Sequence, residues 1–571
     1  MIERMTRYDF ILLSAGKDSF LDRLSALGVM DITRSSKPVD SVSESLLARI
    51  EAIKAEIGRI ERGTDSHLLE LEDERKKLLK EAESEAVWGD YDRSKLAEMG
   101  LRLRFFCVPE KKYDAAWADN CVLQEVRRAG GKVWFVVIGP GEIPFAPVPA
   151  PSATVAETEE KLAVKDKEIA VYKQELDGLK EGLPKLREEL ESLVSELNLY
   201  LAGAGAESAA DNCLLVFEGF APSSEKERLA AEFDHLDCLW YASEATVEDN
   251  PPIKLKNNKF VKQFELLTDM YGRPDYNEFD PTPYISVFFL LFFAMCMGDA
   301  GYGLLLFIGG FLLKKVASLK NLAPLVSILG AGTFVVGIMM HTFFGVDISV
   351  LPWIPGWLKA VMITGTIGGF EAQMVLALAI GVVHLCLAMV VKTVYATRNK
   401  GFLGSLGVWG WTLLIVGGVV LAVLAVMKLV PAAALKWIVI ALGCVSALGI
   451  FLFNDIHRNP LKNIGAGLWE TYNTVTGLLG DVLSYLRLYA LGLAGGMLGK
   501  AFNDIASMTL GDGSFGPGWL VFAVILVIGH ALNLAMCCLG AFVHPLRLNF
   551  LEFFKNSGYD GKGRTYKPLQ K

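Results

Sequence analysis

The sequence predicts two joined architectures. One is an α/β cytoplasmic domain with small lobes on a long antiparallel coiled-coil stalk. The other is an α-helical polytopic membrane domain of eight crossings that ends in two long tilted helices. Three observations predict this. The 571 residues carry a net charge of −8, but residues 1–283 hold 37 Lys+Arg against 54 Asp+Glu while residues 284–571 hold 19 against 10. The second stretch therefore has too few charges to face water and carries long apolar runs. Two segments of the first stretch have heptad spacing. A single soluble globular domain and a wholly membranous chain are both excluded.

Residues 1–260 are assigned to the cytoplasmic domain, with lobes at 1–40, 100–150 and 210–250. The opening MIERMTRYDF lacks the apolar core of a signal peptide, which places this domain on the cytoplasmic side. Tyr8–Leu13 followed by Asp18–Leu27, and Cys213–Phe217 followed by Glu225–Phe233, read as strand then helix. In the middle lobe Leu101–Val108 and Val133–Ile138 read as strands, with a helical stretch around Asp114–Arg128 between them. Pro140–Pro151 holds five prolines in twelve residues and reads as a loop.

The stalk helices are expected at 41–87 and 153–201. Leu46, Ile50, Ile53, Ile57 and Ile60 step by fours and threes, and Ile169, Tyr172, Leu176, Leu179, Leu183, Leu186, Leu190, Leu193, Leu197 and Tyr200 continue the pattern on the second helix. Each segment spans roughly 70 Å as a helix. Gly58, Gly63, Gly178, Gly182 and Pro184 interrupt the pair, so a curved rod kinked near Pro184 is predicted. The apolar stripe is narrow, which favours a stalk over two helices packed in a globular core.

Residues 261–283 form a linker, and 284–571 the membrane domain with a cytoplasmic C-terminal tail. Apolar runs lie at about 284–313, 321–345, 371–392, 402–427, 433–453, 474–500 and 517–543. The first is broken by Gly298-Asp299-Ala300-Gly301-Tyr302-Gly303, so it is either one span or a hairpin of two. Loop charge decides. With a hairpin, cytoplasmic loops hold Lys314, Lys315, Lys320, Lys392, Arg398, Lys400, Arg458 and Lys462. Outer loops then hold only Lys359, Lys428, Lys436 and Lys500. A single span reverses this and violates the positive-inside rule.

Several chemistries are excluded. The nine Cys form no C-x-x-C pair, so neither a zinc site nor a disulfide framework is indicated; no metal and no cofactor is expected. No basic block accompanies the acidic half, which argues against nucleic acid as a partner. Ser14-Ala15-Gly16-Lys17-Asp18-Ser19 imitates the phosphate loop of ATP pyrophosphatases but lacks its second glycine and the doubly wound context. No G-x-x-x-x-G-K-[ST] occurs, so the chain is not expected to hydrolyse ATP itself.

The polar residues inside apolar helices carry the functional signal. Arg487 lies within Asp481–Leu491, where a charge costs at least about 2.5–3.5 kcal/mol on insertion scales. Asp481 is six residues back and about 240° round the helix, so it cannot be the partner on one face. Arg487 shares its face with Gly477, Gly480, Ser484, Ala490 or Leu491, and Ala494; apart from Leu491 these are small residues that let another helix approach. A partner's carboxylate would be its counter-charge, and its pKa would be lowered there. In the last helix His530, Asn533, Cys537, Gly540, His544 and Arg547 recur at helical steps. That stripe suits an aqueous path or packing against the Arg487 helix, although a lone His530 would read as a hydrogen-bonded core histidine. Arg547 could equally snorkel to the interface.

These motifs resemble the membrane stator subunit of rotary V/A-type ATPases, called subunit I in bacteria and archaea and subunit a in eukaryotes. Phe264-Glu265 and Tyr271–Pro283 look like the family's linker, Gly298–Gly303 like its first-hairpin signature, and Asp481–Leu491 (DVLSYLRLYAL) is the most specific match. His544–Phe550 fits its C-terminal basic motif. The resemblance implies a non-catalytic subunit of an ion-translocating complex. Arg487 would be the essential arginine separating two ion half-channels beside the rotor, and Arg547 the second arginine. It further implies that Asp481, Ser484, Tyr485, Glu470, His530, Asn533 and His544 take part in moving H⁺ or Na⁺. The implied partners are a rotor ring of proteolipid subunits, peripheral stalk subunits, the ATP-hydrolysing head reached through those stalks, and the lipid bilayer. The implied location is the plasma membrane of a prokaryote, crossed many times. Gly495, Asn473 and Cys537 stand where eukaryotic members often have His, Glu and Glu. The competing classes are a secondary ion transporter with a cytoplasmic regulatory arm, for which paired hydrophobic repeats are not evident, and a structural tether, which has no reason to keep Arg487 in lipid.

Overall fold

The computed structural model describes residues 2–34, 40–62, 66–85, 87–88, 103–114, 117, 121–138, 143–149, 155–211, 213–316, 319–352, 354–452, 460–509 and 517–570. The chain divides into two compact units. The first comprises Met1–Leu12, Val29–Ile32 and Val216–Pro568, and the second Leu13–Gly28, Thr33–Leu215 and Leu569–Lys571.

In the second unit the heptad positions become an apolar seam. Ser41–Arg62 packs on Leu183–Ala204, and Ser66–Glu85 on Val155–Leu179. Ile50, Ile53 and Ile57 meet Leu193 and Leu197; Leu68 and Leu71 meet Ile169 and Leu176. Early residues pair with late ones, so the helices run in opposite directions. Ion pairs Arg49–Glu189 (2.9 Å), Glu61–Arg187 (2.6 Å), Glu72–Lys173 (2.8 Å) and Arg75–Asp166 follow that register. The break expected near Pro184 falls just before it. Lys180–Gly182 is a tight 3-10 turn, and Pro184 occupies the first turn of the next helix, where its missing N–H costs nothing. Gly63 lies outside the described residues.

The middle lobe corrects one expectation. Val122–Ala129 is a strand, not the end of a helix, and it pairs antiparallel with Lys132–Ile138, which pairs on its other edge with Leu103–Pro109. The Gly130-Gly131 turn, with φ of +57° and +73°, joins the hairpin. Charges dominate the exposed face of Val122–Ala129 and hide the strand period, while Val133, Phe135 and Val137 alternate into the core. Residues 101–102, 115–116, 118–120, 139–142 and 150–154 of the expected strand, helix and loop lie outside the described residues.

The first unit begins with a small sheet. Met5–Leu13 runs antiparallel to Leu239–Glu244, and Asp31–Ile32 to Leu214–Pro222. Lys226–Phe233 covers one face, where Tyr8, Phe10, Phe233 and Trp240 pack edge to face. The basic C-terminal tail returns to this lobe. Thr565 bridges Ile253, Gly563 bridges Arg273, and Tyr566 donates its hydroxyl to the carbonyl of Val29. The N–H of Lys567 donates to Asp31 at 2.9 Å, and that of Asp560 to Glu278 at 2.7 Å.

Among the described residues five helical tracts are long and apolar enough to cross a membrane: Ala372–Gly404, Leu406–Val426, Ala432–Phe451, Asn463–Met508 and Gly518–Ser557. Three shorter apolar helices precede them, Thr282–Met297, Ala300–Leu313 and Ala323–Met339. The first break is made by Gly298 at φ +60° and by Asp299, whose carboxylate caps the next helix. Ala300–Leu313 and Ala323–Met339 are antiparallel and close. A Cβ at Gly303 would stand 2.4 Å from the backbone of Phe334, and one at Gly337 2.2 Å from that of Ala300.

Rings gather where the bundle meets the lobe. Tyr271 packs on Phe554, Phe279 on Tyr395 and Tyr559, and Tyr284 on Phe553. The start of Thr282–Met297 and the end of the last helical tract therefore share one end of the bundle, here called the tail end.

Candidate functional site

Arg487 opens the helix Leu486–Met508, just after a hitch at Tyr485. Its guanidinium is half-buried, and Nη1 is enclosed without a hydrogen-bond partner among the described residues. The apolar core of the bundle surrounds this turn: Tyr485 and Leu488 are fully buried. Cys296 and His544 lie within electrostatic reach of the guanidinium. Nη1 is thus an open hydrogen-bond donor at this turn.

His544 and Arg547 come from the last helix, Pro517–Arg547. His544 Nδ1 is also buried and unpartnered, whereas Arg547 is exposed. Ser484, one turn before Arg487, donates to the carbonyl of Gly480 at 3.0 Å. Asp481 faces the tail end, accepting from Asn556 at 2.8 Å and standing 3.6 Å from the ammonium of Lys555. The six-residue spacing thus sends Asp481 to a different partner from Arg487.

Other candidates fall elsewhere. Tyr485 turns into the bundle, where its hydroxyl meets Nδ1 of His384 at 2.9 Å. The ring fits against Gly381, at which a Cβ would stand 2.3 Å from it. His384 in turn lies flat on Phe553, with ring centroids 4.8 Å apart. Glu470 is half-buried near the start of Pro460–Ser484, apart from this group.

His530 and Asn533 form a second cluster, farther from the tail end. Nδ2 of Asn533 donates to the hydroxyl of Tyr302 at 2.8 Å and to the carbonyl of Gly495 at 2.9 Å. The Tyr302 hydroxyl meets His530 Nδ1 at 2.7 Å, and His530 Nε2 meets Asn503 Oδ1 at 2.9 Å. Because Asn503 Nδ2 is engaged with the carbonyl of Phe344 at 2.7 Å, its oxygen is the acceptor. His530 is therefore the Nε2–H tautomer, and its Nδ1 accepts the tyrosine proton. This closed network joins the last helix to the Arg487 helix.

The same region explains Asp299. Its buried carboxylate accepts from four backbone N–H groups, those of Gly301 (2.8 Å), Tyr302 (3.2 Å), Phe344 (2.9 Å) and Gly345 (2.7 Å). It clasps the short Thr342–Phe343/Val346–Asp347 hairpin to the bundle. That hairpin helps to wall a cavity of about 590 Å³ whose lining includes His341, Asp347, Glu371, Tyr489 and Lys500. The Tyr489 hydroxyl donates to Glu371 at 2.5 Å across it. Asp347 is held below the ordinary carboxylate value: its partial burial, which opposes this, is outweighed by the Ser349 hydroxyl and N–H and by His341.

Residues missed by the sequence reading are Tyr302, Glu371, His384, Asn503 and Glu552. Glu552 sits in a π-helical turn, Leu548–Phe553, with 4% of its surface exposed and Oε2 unpartnered. The available signal was its rarity, as one of ten acidic residues in 284–571.

Residues 153–344 match the V-type ATPase 116kDa subunit family. The chain is 35% identical over 339 residues to A-type ATP synthase subunit I of Pyrococcus abyssi, covering 57% of this chain and 48% of that one. It is 33% identical over 391 residues to A-type ATP synthase subunit I of Methanocaldococcus jannaschii, covering 62% and 54%. V-type ATP synthase subunit I 1 of Treponema pallidum is 28% identical over 340 residues, covering 57% and 53%. The chain spans about half the length of the curated relatives it matches. Over these stretches the chain is similar to the V-type ATPase 116kDa subunit family and to subunit I of the A-type and V-type ATP synthases.

Proposed function

We propose that this chain is a non-catalytic stator subunit of a rotary ATPase, in which Arg487 separates two ion half-channels beside a ring of rotor subunits. One observation carries the reading: the enclosed Nη1 of Arg487, a fixed positive donor with no partner among the described residues. A rotor carboxylate arriving at that donor would be favoured in its ionised form and would release its cation before moving on. The cation is H⁺ or Na⁺.

Two polar approaches support the arrangement. Asp481, Ser484 and His544 lie toward the tail end of Arg487, and the Glu371–Tyr489 cavity lies toward the other end. Eight crossings are supported by the joint anchoring of residues 253–284 and 553–567 at one end, which requires an even number. If Thr282–Leu313 crossed only once, the eight apolar helices would make seven crossings and leave those segments on opposite faces. The paired helices of the second unit suit a coiled-coil stalk that anchors peripheral stalks, and through them the ATP-hydrolysing head. In this reading the N-terminal domain and tail are cytoplasmic and the protein sits in a prokaryotic plasma membrane.

Arg487→Gln tests the reading. Complexes carrying it should assemble with the ATP-hydrolysing subunits yet lose ATP-driven ion uptake in vesicles. Retained ATP-driven uptake would rule the reading out.

A further inference from the structure

We infer that Glu552 is an ion-transfer residue on the tail-end approach to Arg487, a role that rests on the rotary reading above. Four buried polar atoms without partners among the described residues come from the Arg487 turn and the end of the last helical tract: Arg487 Nη1, His544 Nδ1, Asn549 Oδ1 and Glu552 Oε2. Buried polar groups are ordinarily paired, with protein or with water. These four lie around one junction, where Nε2 of His384, stacked on Phe553, is open as well, whereas the His530 cluster closes completely; the strip is suited to receive something polar.

Exposure grades along this strip. Lys555 is 62% exposed and its partner Asp481 15%, whereas Glu552 is 4% exposed. The side chains facing the Glu552 carboxylate are Ser484, Asp481 and Tyr485 from the Arg487 helical tract and Arg547 from its own. Ser484 is one helical turn from Arg487. A cation entering from the tail end thus meets Asp481 at the surface, Glu552 within, and then the face that presents Arg487. Glu552 is held in a π turn, a feature frequent at functional sites. For a proton, the carboxylate takes it up to become a neutral carboxyl and gives it on, so charge and atoms balance. For sodium, the carboxylate supplies an oxygen ligand in transit.

The test uses the complete complex in vesicles with the tail face outward. ATP-driven uptake is read in separate arms with a pH-sensitive dye and with radiosodium, so the wild type identifies the ion. E552Q should lower uptake of that ion roughly a hundredfold, the scale of a lost proton-transfer group, and E552D should restore part of it. S484A, which keeps the carboxylate, should shift the external pH or Na⁺ dependence of uptake. E552Q complexes that pump at the wild-type rate with unchanged ion dependence, beside an inactive R487Q preparation, would overturn the role of Glu552 alone. An active R487Q would overturn the rotary reading instead. If E552Q does not assemble, unchanged ion dependence in both E552D and S484A overturns the inference.

Discussion

Asn533 and Gly495 are joined by a hydrogen bond of 2.9 Å from side-chain amide to backbone carbonyl, and this bond fixes the last helix against the Arg487 helix. The same amide nitrogen reaches the Tyr302 hydroxyl, so one fully buried side chain ties three helices. Asn533→Leu removes both of these bonds, although the tyrosine keeps its bond to His530. It should lower stability by about 1–3 kcal/mol, read as a drop in the thermal unfolding temperature of the detergent-solubilised chain. An unchanged midpoint would show that the network contributes nothing.

Asp299 should be more sensitive still. Its carboxylate accepts from four N–H groups, whereas an asparagine offers one acceptor oxygen and turns an NH₂ toward backbone donors. Asp299→Asn should cost about 2–3 kcal/mol and release the 342–347 hairpin. Amide hydrogen exchange at Phe344 and Gly345 checks this, with faster exchange at both positions expected.

Glycines of one helix should separate by what faces them. Gly303 packs against the backbone of Phe334, while nothing lies within 4 Å of a Cβ at Gly309. Gly303→Val should force the two helices apart at about 1–3 kcal/mol or more. Gly309→Ala should be neutral or stabilising by up to about 1 kcal/mol. Comparative thermal melts decide it, and equal effects at the two sites would contradict the close packing.

The N-terminal lobe should carry a split pH response around Arg7, which contacts Asp249 at 2.5 Å and Glu218 at 3.1 Å. Asp249 is held below its ordinary 3.8, chiefly by the Thr246 hydroxyl and N–H, with Arg7 adding to them. Its stabilisation is present above the unfolded value and is lost as pH falls through the folded one. Burial pushes Glu218 above its ordinary 4.5, partly offset by Arg7. The folded state therefore holds that proton more tightly, and its contribution fades as pH rises through the raised value. Asp249→Asn should flatten the acid limb of a stability profile below about pH 4, and Glu218→Gln the slope above about pH 4.5. Calorimetric melts across that range measure both.

The architecture was largely written in periodicity. The heptad residues Ile50, Ile53, Ile57, Leu193 and Leu197 are the ones that meet, because a stripe every 3.5 residues can only be buried against another helix. The Val122–Ala129 strand was not legible, since its outward charges mask the alternation and its pairing is tertiary. For the site, Arg487 was legible because a charge in an apolar run has a fixed cost. His530 and Asn533 were legible as a polar stripe, but whether a stripe lines water or closes on itself depends on what the neighbouring helix presents. Tyr302, more than two hundred residues away, supplies that answer.

The sequence by itself determined where charge, apolar runs and helix periods lie, because those are local properties of the chain. Only the tertiary structure decided which polar groups satisfy one another. It closed Asn533, His530, Tyr302 and Asn503 into a finished network and returned the basic tail to Asp31. It also left Arg487, His544 and Glu552 with open atoms. The reason is physical: a hydrogen bond depends on distance and direction between groups far apart in sequence, and no spacing rule within one helix encodes the side chain brought opposite.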